Sequence, residues 1–178
     1  GPFYPKLQLV NDRGFPFVVQ FTINAYPREL ETAVIDAERA IGHMRDLAGE
    51  FGSRVGVWRY DPVVATSVTP PDWHVGNFSQ LADRLVGATD EVVVSFAQIY
   101  RKTARNMERA AGARDFAWID PVEGEKRDLL ADFVDTAAAH GMTLSLCGQP
   151  ELIDAGAGEA RCIDARRLGD VAARPITA

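Results

Sequence analysis

The sequence predicts an α/β fold in which repeated strand-helix units form a partial (β/α) barrel, a TIM-barrel-like arrangement. Four short β-prone segments alternate with helical segments along the 178 residues. The helices provide the long crossover connections that parallel strands require. The third strand segment is a nearly continuous valine run, typical of a parallel strand covered on both faces. An open doubly wound sheet is the competing architecture. Its nucleotide-binding version is disfavoured because no glycine-rich phosphate loop follows the first strand.

The strand predictions rest on β-branched and aromatic residues bounded by glycine or proline. The four segments are residues 17–23, 57–62, 91–96 and 142–147. Pro62 is expected to end the second strand, because proline cannot donate a ladder hydrogen bond. After the fourth strand, residues 149–159 are predicted to form a glycine-bearing loop. Residues 162–164 are predicted to form a short strand or turn that leads into a small helix.

The helix predictions rest on apolar residues that recur at three- and four-residue steps. The helices are predicted at about residues 28–51, 72–87, 103–111 and 125–140, with a short one in the lead-in around Leu7. Asp72 is predicted to be the N-cap of the second of these four. Gly52 and Gly141 are placed to stop the helices that precede them. We interpret residues 1–178 as a single α/β domain.

Composition limits the class of partner and the compartment. The net charge of -6 argues against nucleic acid or an anionic membrane surface as the main partner. No apolar run approaches the roughly 20 residues that a membrane span needs. Cys147 and Cys162 are too few for a disulfide scaffold, so we predict two free thiols and a cytoplasmic location.

Polar residues share one face of each predicted strand and lie near its carboxyl end. In a barrel these faces converge at the mouth, where active sites of this fold lie. The sequence therefore predicts a pocket that binds a small molecule there. Its predicted binding residues include Gln20, Thr22, Asn24, Ser95, Ser145 and Cys147. The alternative is that these short polar residues satisfy one another in a tight interior.

Arg59 and Asp61 are the central pair of this predicted site. They lie two residues apart on one strand, so their side chains share a face. Burying two charges is costly unless each is satisfied, which makes such a pair a candidate catalytic site. Arg59 suits a carboxylate or phosphate group, and Asp61 would hold Arg59 in place or accept a proton. The alternative is an ion pair in solvent on an edge strand.

Three further candidates follow the ends of the predicted strands. Tyr100 and Lys102 would bind substrate near the mouth, and Glu151 would act as a general acid or base. A lysine at this position is more typical of a solvated helix start. The three histidines have no ligand spacing between them, and His74 is predicted to be structural; we predict no metal site.

Several motifs occur in order along nearly the whole chain. They are Trp58-Arg59-Tyr60-Asp61-Pro62, Asp72-Trp73-His74, Ser95-Phe96, Leu146-Cys147 and Cys162-Ile163-Asp164. Together they resemble domain-of-unknown-function family 1848, uncharacterised bacterial proteins similar to radical S-adenosylmethionine barrel enzymes. That resemblance implies a barrel-like domain related to radical enzymes.

Members of this family typically have additional N-terminal strands. Many also end in a cysteine cluster, in which three thiolates hold a four-iron cluster. This sequence lacks both features, so we expect a fragment of a larger barrel with no cofactor held within this chain. An iron-sulfur cluster and S-adenosylmethionine would bind only if the cluster ligands lie outside it.

Three functional hypotheses follow. In the first, the chain is the substrate-binding barrel of a radical S-adenosylmethionine-like enzyme. In the second, it is a metal-free hydrolase or lyase that uses Asp61 and Glu151 as acid and base. In the third, it is a non-catalytic module that binds a small molecule or forms a homodimer, because a partial barrel leaves open sheet edges.

Overall fold

A computed structural model describes residues 3–172, apart from the side chains of residues 154 and 155. The strands are β1 (Val19–Thr22), β2 (Gly56–Val63), β3 (Glu91–Phe96), β4 (Thr143–Leu146) and β5 (Gly158–Glu159). The helices are α1 (Tyr4–Asp12), α2 (Ala37–Phe51), α3 (Pro71–Leu85), α4 (Arg101–Arg114), α5 (Glu123–Ala139) and α6 (Ala165–Val171). A 3₁₀ helix (Pro150–Ala155) connects β4 to β5.

The sheet is parallel throughout, and its spatial order follows the chain, β1-β2-β3-β4-β5. A doubly wound sheet would reverse its strand order at a switch point. Right-handed crossovers between successive neighbours instead place the connecting helices on the same face of the sheet. The predicted α/β class is confirmed. The sheet is open, with the strand order of a barrel sector.

One face of the sheet packs against α2, α3 and α5 to form the core. Trp58 and Tyr60 of β2 point to this face and are fully buried. Trp58 stacks on Phe78 of α3 with ring centroids 4.8 Å apart, and Phe78 stacks on Phe133 of α5 at 4.4 Å. These aromatic contacts fix both helices against the centre of the sheet.

The opposite face, called the polar face below, carries the alternate residues of each strand, among them Arg59 and Glu91. α6 covers its amino-terminal half. Arg167 of α6 donates to Glu91 at 2.8 Å, to Asp90 at 2.6 Å and to the Gly56 carbonyl at 2.9 Å. Arg59 lies further along this face, towards the carboxyl ends of the strands.

The first long helix is shorter than its apolar pattern predicted. α2 begins at Ala37, and the Asp36 side chain caps it by accepting from the Glu38 amide at 2.9 Å. The segment before it is irregular. Arg28 there donates to the Val34 carbonyl at 2.8 Å, which satisfies that carbonyl outside a helix. The helix predicted from residue 28 was wrong over residues 28–36, because a strong N-cap at Asp36 sets the start.

Two boundary predictions that involved proline were also wrong. Asp72 lies in the first turn of α3 rather than at its N-cap, because Pro71 takes the first helical position, which suits its fixed φ. Pro62 does not end β2, which continues to Val63. The pairing of β2 with β3 shifts register between Tyr60 and Val63, and such an irregularity accommodates proline within a strand.

The connection between β3 and β4 contains two helices, α4 and α5, as predicted, although α4 is longer than expected. The predicted loop 149–159 was partly wrong, because it contains the 3₁₀ helix and β5, which pairs with β4. Within residues 3–172, no helix combines the length and apolar character needed to cross a membrane.

Candidate functional site

Four side chains of the polar face form one hydrogen-bonded group, called the polar cluster below: Gln20, Arg59, Asp61 and Ser95. Arg59 donates to Asp61 Oδ2 through Nε at 2.9 Å and through Nη2 at 2.5 Å. Its Nη1 donates to Gln20 Oε1 at 2.7 Å. Ser95 donates its hydroxyl to the other carboxylate oxygen, Asp61 Oδ1. The structure thus links three adjacent strands through one carboxylate and one guanidinium.

The parallel register explains this meeting. Arg59 lies beside Thr22 on one side and Val93 on the other. Because β2 lies between β1 and β3, the ion pair is not on an edge strand. Arg59 and Asp61 each expose only 20% of their side chains, so the pair is partly withdrawn from water. The edge-strand alternative is therefore wrong.

Arg59 stays a cation despite its partial burial. Burial alone would lower its pKa, but the hydrogen bond and charge of Asp61, together with Cys147 at the end of β4, raise the pKa of Arg59 above its usual value. Three of the five guanidinium N–H donors face Asp61 and Gln20, and Cys147 is a further hydrogen-bond partner, which leaves one donor for a ligand.

Asn24 fixes the backbone of Asp61 from the neighbouring strand end. Its Oδ1 accepts from the Asp61 amide at 2.9 Å, and its Nδ2 donates to the Asp61 carbonyl at 3.2 Å and to Glu31 at 3.1 Å. Asn24 is buried and lies with Thr22 in a separate hollow of about 120 Å³ next to α2. Asn24 therefore positions Asp61 instead of lining the polar cluster.

A second network lies behind the polar cluster in the core. The Tyr60 hydroxyl and His74 Nδ1 are 2.8 Å apart, and His74 Nε2 lies 3.1 Å from the Val64 carbonyl. A carbonyl only accepts, so Nε2 carries the proton and Nδ1 accepts from Tyr60. Burial lowers the pKa of His74 to about 4, so the ring is neutral near pH 7. His74 is structural, as predicted.

Asn77 joins the two networks. It donates to the Tyr60 hydroxyl at 3.0 Å and to the Asn24 carbonyl at 2.8 Å. The Tyr60 hydroxyl therefore both accepts and donates, and burial keeps it protonated by raising its pKa. A continuous chain of contacts runs from His74 through Asn24 to Asp61.

Four further predicted site residues also lie outside the polar cluster. Ser145 faces the amino-terminal half of the polar face, where it donates to Glu91 at 3.3 Å. Tyr100 is 66% exposed and donates to the neighbouring Gln98. Lys102 is exposed on α4, and Glu151 is exposed on the 3₁₀ helix. Glu151 and Asp61 form the acid-base pair of the hydrolase hypothesis, and the structure does not bring them together.

Sequence reasoning missed Asn77, Glu91 and Arg167. Glu91 had a signal, because it is two residues before Val93 on the polar face of β3. Asn77 and Arg167 lie on helices, and helical periodicity does not predict their hydrogen bonds to Asn24 and Glu91.

The described residues do not fit an iron-sulfur cluster. Among residues 3–172, no group of three or more His, Cys, Asp or Glu side chains could hold a metal ion. Cys147 is partly buried at the end of β4 and Cys162 is exposed, and both are free thiols. Three clustered thiolates are the usual minimum for a site of that kind, so any cluster ligands would have to lie elsewhere.

Comparison with known proteins identifies a family but no characterised relative. No curated protein and no solved structure matches this chain. One family model, described as Domain of unknown function (DUF1848), matches residues 1–177. The match spans the polar cluster, the core network and α6 together. This chain therefore belongs to the DUF1848 family.

Proposed function

We propose that this domain binds a small molecule at the polar cluster. One observation carries the proposal: Gln20, Arg59, Asp61 and Ser95, from three strands, meet in one hydrogen-bonded group. The group lies towards the carboxyl ends of parallel strands, where α/β folds place their ligands. It is partly exposed, so a solute can reach it.

The charges of the cluster favour a particular kind of ligand. Asp61 neutralises Arg59, so a simple anion gains less here than beside an unpaired arginine. A ligand that carries both a carboxylate or phosphate and a hydroxyl or amine would engage both partners. Arg59 would then donate to the acidic group, and Asp61 would accept from the hydroxyl or amine.

The family resemblance supports a more specific role, the substrate-binding part of a radical S-adenosylmethionine-like enzyme. In that role this chain supplies the pocket, and the cluster ligands lie outside the described residues. The hydrolase or lyase alternative gains no support, because Glu151 lies away from Asp61 on an exposed helix. The free thiols support the cytoplasmic location. Homodimer formation through the sheet edges stays a prediction.

The Arg59→Ala variant tests the binding site. Glycolate and glycerol 3-phosphate, small anions that each carry a hydroxyl beside the acidic group, are titrated into ¹⁵N-labelled protein and followed by NMR. We expect shifts at Arg59 and Ser95 in the wild type and at least about tenfold weaker binding in the variant, because a charge-assisted hydrogen bond is lost.

Arg84→Ala is the matched control, because Arg84 pairs with Glu38 between helices, away from the polar face. It should bind both anions as the wild type does. Equal binding by Arg59→Ala and wild type would contradict the proposal. Unfolding of Arg59→Ala, seen as lost NMR dispersion, would make the ion pair structural instead.

The radical-enzyme role has a separate test. The full-length gene product is purified without oxygen, and its iron and sulfide contents and visible spectrum are measured. We expect a bound cluster. A colourless, iron-free protein would overturn this role and leave small-molecule binding without radical chemistry.

A further inference from the structure

α4 carries a basic surface without a partner in its own domain. Five of its 14 residues are basic and one is acidic, although the whole chain has a net charge of -6. None of its residues is buried. Arg101, Arg105 and Arg109 lie four residues apart, so they form one stripe along the helix. These three cations and Lys102 are exposed, and none of them forms an ion pair or side-chain hydrogen bond within the described residues.

The next helix, α5, exposes a stripe of the opposite charge. Its members follow one another at steps of three and four residues: Glu125, Asp128, Asp132 and Asp135. The side chains of the three aspartates have no ion-pair or hydrogen-bond partner in the part of the chain that the structure describes. At 1.5 Å per residue, this acidic stripe is about 15 Å long and the basic stripe of α4 is about 12 Å long. The two stripes are therefore similar in length and opposite in charge.

Exposed apolar residues lie where α4 and α5 meet. Ile119 and Val122, in the connection between the two helices, are 56% and 67% exposed. Ile119 lines a small cavity together with Met107 of α4 and Leu129 of α5, which places it between the helices. The two stripes and these two exposed residues are called the α4–α5 surface below. An apolar centre with a charged surround is the usual composition of a protein–protein interface.

The arrangement of charge on this surface is self-complementary. A two-fold axis through the α4–α5 connection would bring the basic stripe of one copy against the acidic stripe of the other. The apolar residues near the axis would then contact their own counterparts. Two-fold dimers are the commonest soluble oligomers, and their interfaces pair one patch with itself. A purely acidic partner would be attracted by α4 but repelled by α5, so the charges favour a second copy of this chain.

We propose that two copies of this chain associate through the α4–α5 surface to form a two-fold dimer. The basic stripe of each copy pairs with the acidic stripe of the other, and Ile119 packs at the centre. This surface includes neither the sheet edges nor the polar cluster. Dimer formation is measured without any ligand, so this proposal and the proposed ligand site can each fail while the other holds.

Sedimentation velocity of the 178-residue chain tests the dimer. We expect a monomer–dimer equilibrium that depends on protein concentration at about 0.05 M salt. The dissociation constant should be at least about tenfold higher at about 0.5 M salt, because salt screens exposed charges. A protein that is monomeric at every concentration in low salt would overturn the proposal. Species larger than a dimer would also overturn it, because a two-fold interface closes after two copies.

Charge reversals locate the contact. Arg105→Glu and Asp132→Arg each place like charges opposite one another, twice in every dimer, so each variant alone should be monomeric. An equimolar mixture of the two should dimerise again, because the reversed stripe of one variant then faces the reversed stripe of the other. Arg39→Glu is the matched control. It makes the same change of charge at an exposed position of α2, outside the α4–α5 surface, and should leave the dimer intact.

A single variant that dimerises as well as the wild type would overturn the proposal, and so would a mixture that stays monomeric. All the substituted residues are exposed, and circular dichroism checks that each variant keeps its fold. If Arg105→Glu or Asp132→Arg fails to fold, Arg109→Glu or Asp128→Arg takes its place on the same stripe, with the same expected results.

Discussion

Phe133→Ala is expected to lower the free energy of unfolding by about 3–5 kcal/mol, the largest loss from a single substitution discussed here. Phe133 on α5 is fully buried, stacks on Phe78 at 4.4 Å and meets the Tyr60 ring edge-on at 5.6 Å. Truncation removes apolar burial and leaves a cavity between α5, α3 and the sheet. Neighbouring aromatic rings cannot collapse into that cavity without losing their own contacts.

Urea unfolding followed by circular dichroism measures this loss. The matched control is Phe15→Ala, which deletes the same ring at a site that is 63% exposed. We expect that control to change the free energy by less than about 0.5 kcal/mol. Similar losses in both variants would mean that α5 does not pack on the sheet as described. A loss of about 4 kcal/mol is a large part of the roughly 5–15 kcal/mol of a typical domain.

The sequence was sufficient to predict the parts of the site that depend on local geometry. Arg59 and Asp61 are two residues apart, so alternation alone put them on one face of β2. The carboxyl ends of parallel strands meet at one edge of a sheet, so Gln20 and Ser95 were expected nearby. Their hydrogen bonds to the pair join residues 39 and 34 positions apart, yet the fold class made this meeting predictable.

The parts that sequence reasoning missed depend on where helices pack. Arg167 reaches Glu91 across 76 residues, and Asn77 reaches Asn24 across 53. Helical periodicity shows which face of a helix is apolar and packs on the core. It does not show which strand end a polar residue of that helix will contact. No pattern in the sequence indicated that α6 would cover the polar face. The contacts of Arg167 with Asp90 and Glu91 were therefore visible only in three dimensions.

The predicted start of α2 was wrong for a related reason. Leu30 and Val34 are four residues apart and imitate a helical stripe, although the segment before Asp36 is irregular. The N-cap preference of Asp36 competes with the apolar spacing, and here the capping hydrogen bond sets the boundary. The irregular segment also carries Glu31, which bonds Asn24 and so supports the backbone of Asp61. The irregular segment that the helix prediction missed therefore helps to hold Asp61 in place.

His74 is expected to make the protein about 3 kcal/mol less stable at pH 4 than near pH 7, apart from the effect of other groups. Burial lowers its pKa to about 4 from the ordinary value of 6.5 that applies in the unfolded chain. Between these values the unfolded chain binds a proton and the folded protein does not. Acidification through this range therefore favours unfolding, and the His74 contribution is constant above about pH 6.5.

The hydrogen bonds explain why the folded protein resists this proton. Protonation would put an N–H on Nδ1, 2.8 Å from a Tyr60 hydroxyl that already accepts from Asn77. The hydroxyl would have to turn its own proton away, and the core within reach of His74 is apolar or already paired. The hydroxyl oxygen could then accept from Nδ1, but its own proton would be left without an acceptor and the imidazolium charge would be buried.

The variant His74→Gln isolates this contribution, because it removes the titration. Urea unfolding at pH 4 and pH 7.5 gives the free-energy difference for each protein, and subtraction cancels the carboxylates that both share. We expect the difference to shrink by about 3 kcal/mol in His74→Gln. His43→Gln, on a half-exposed position of α2, should keep the wild-type difference. An unchanged pH dependence in His74→Gln would show that the ring is protonated in the folded state. In that case Nδ1 would donate to the Tyr60 hydroxyl at pH 4 instead of accepting from it.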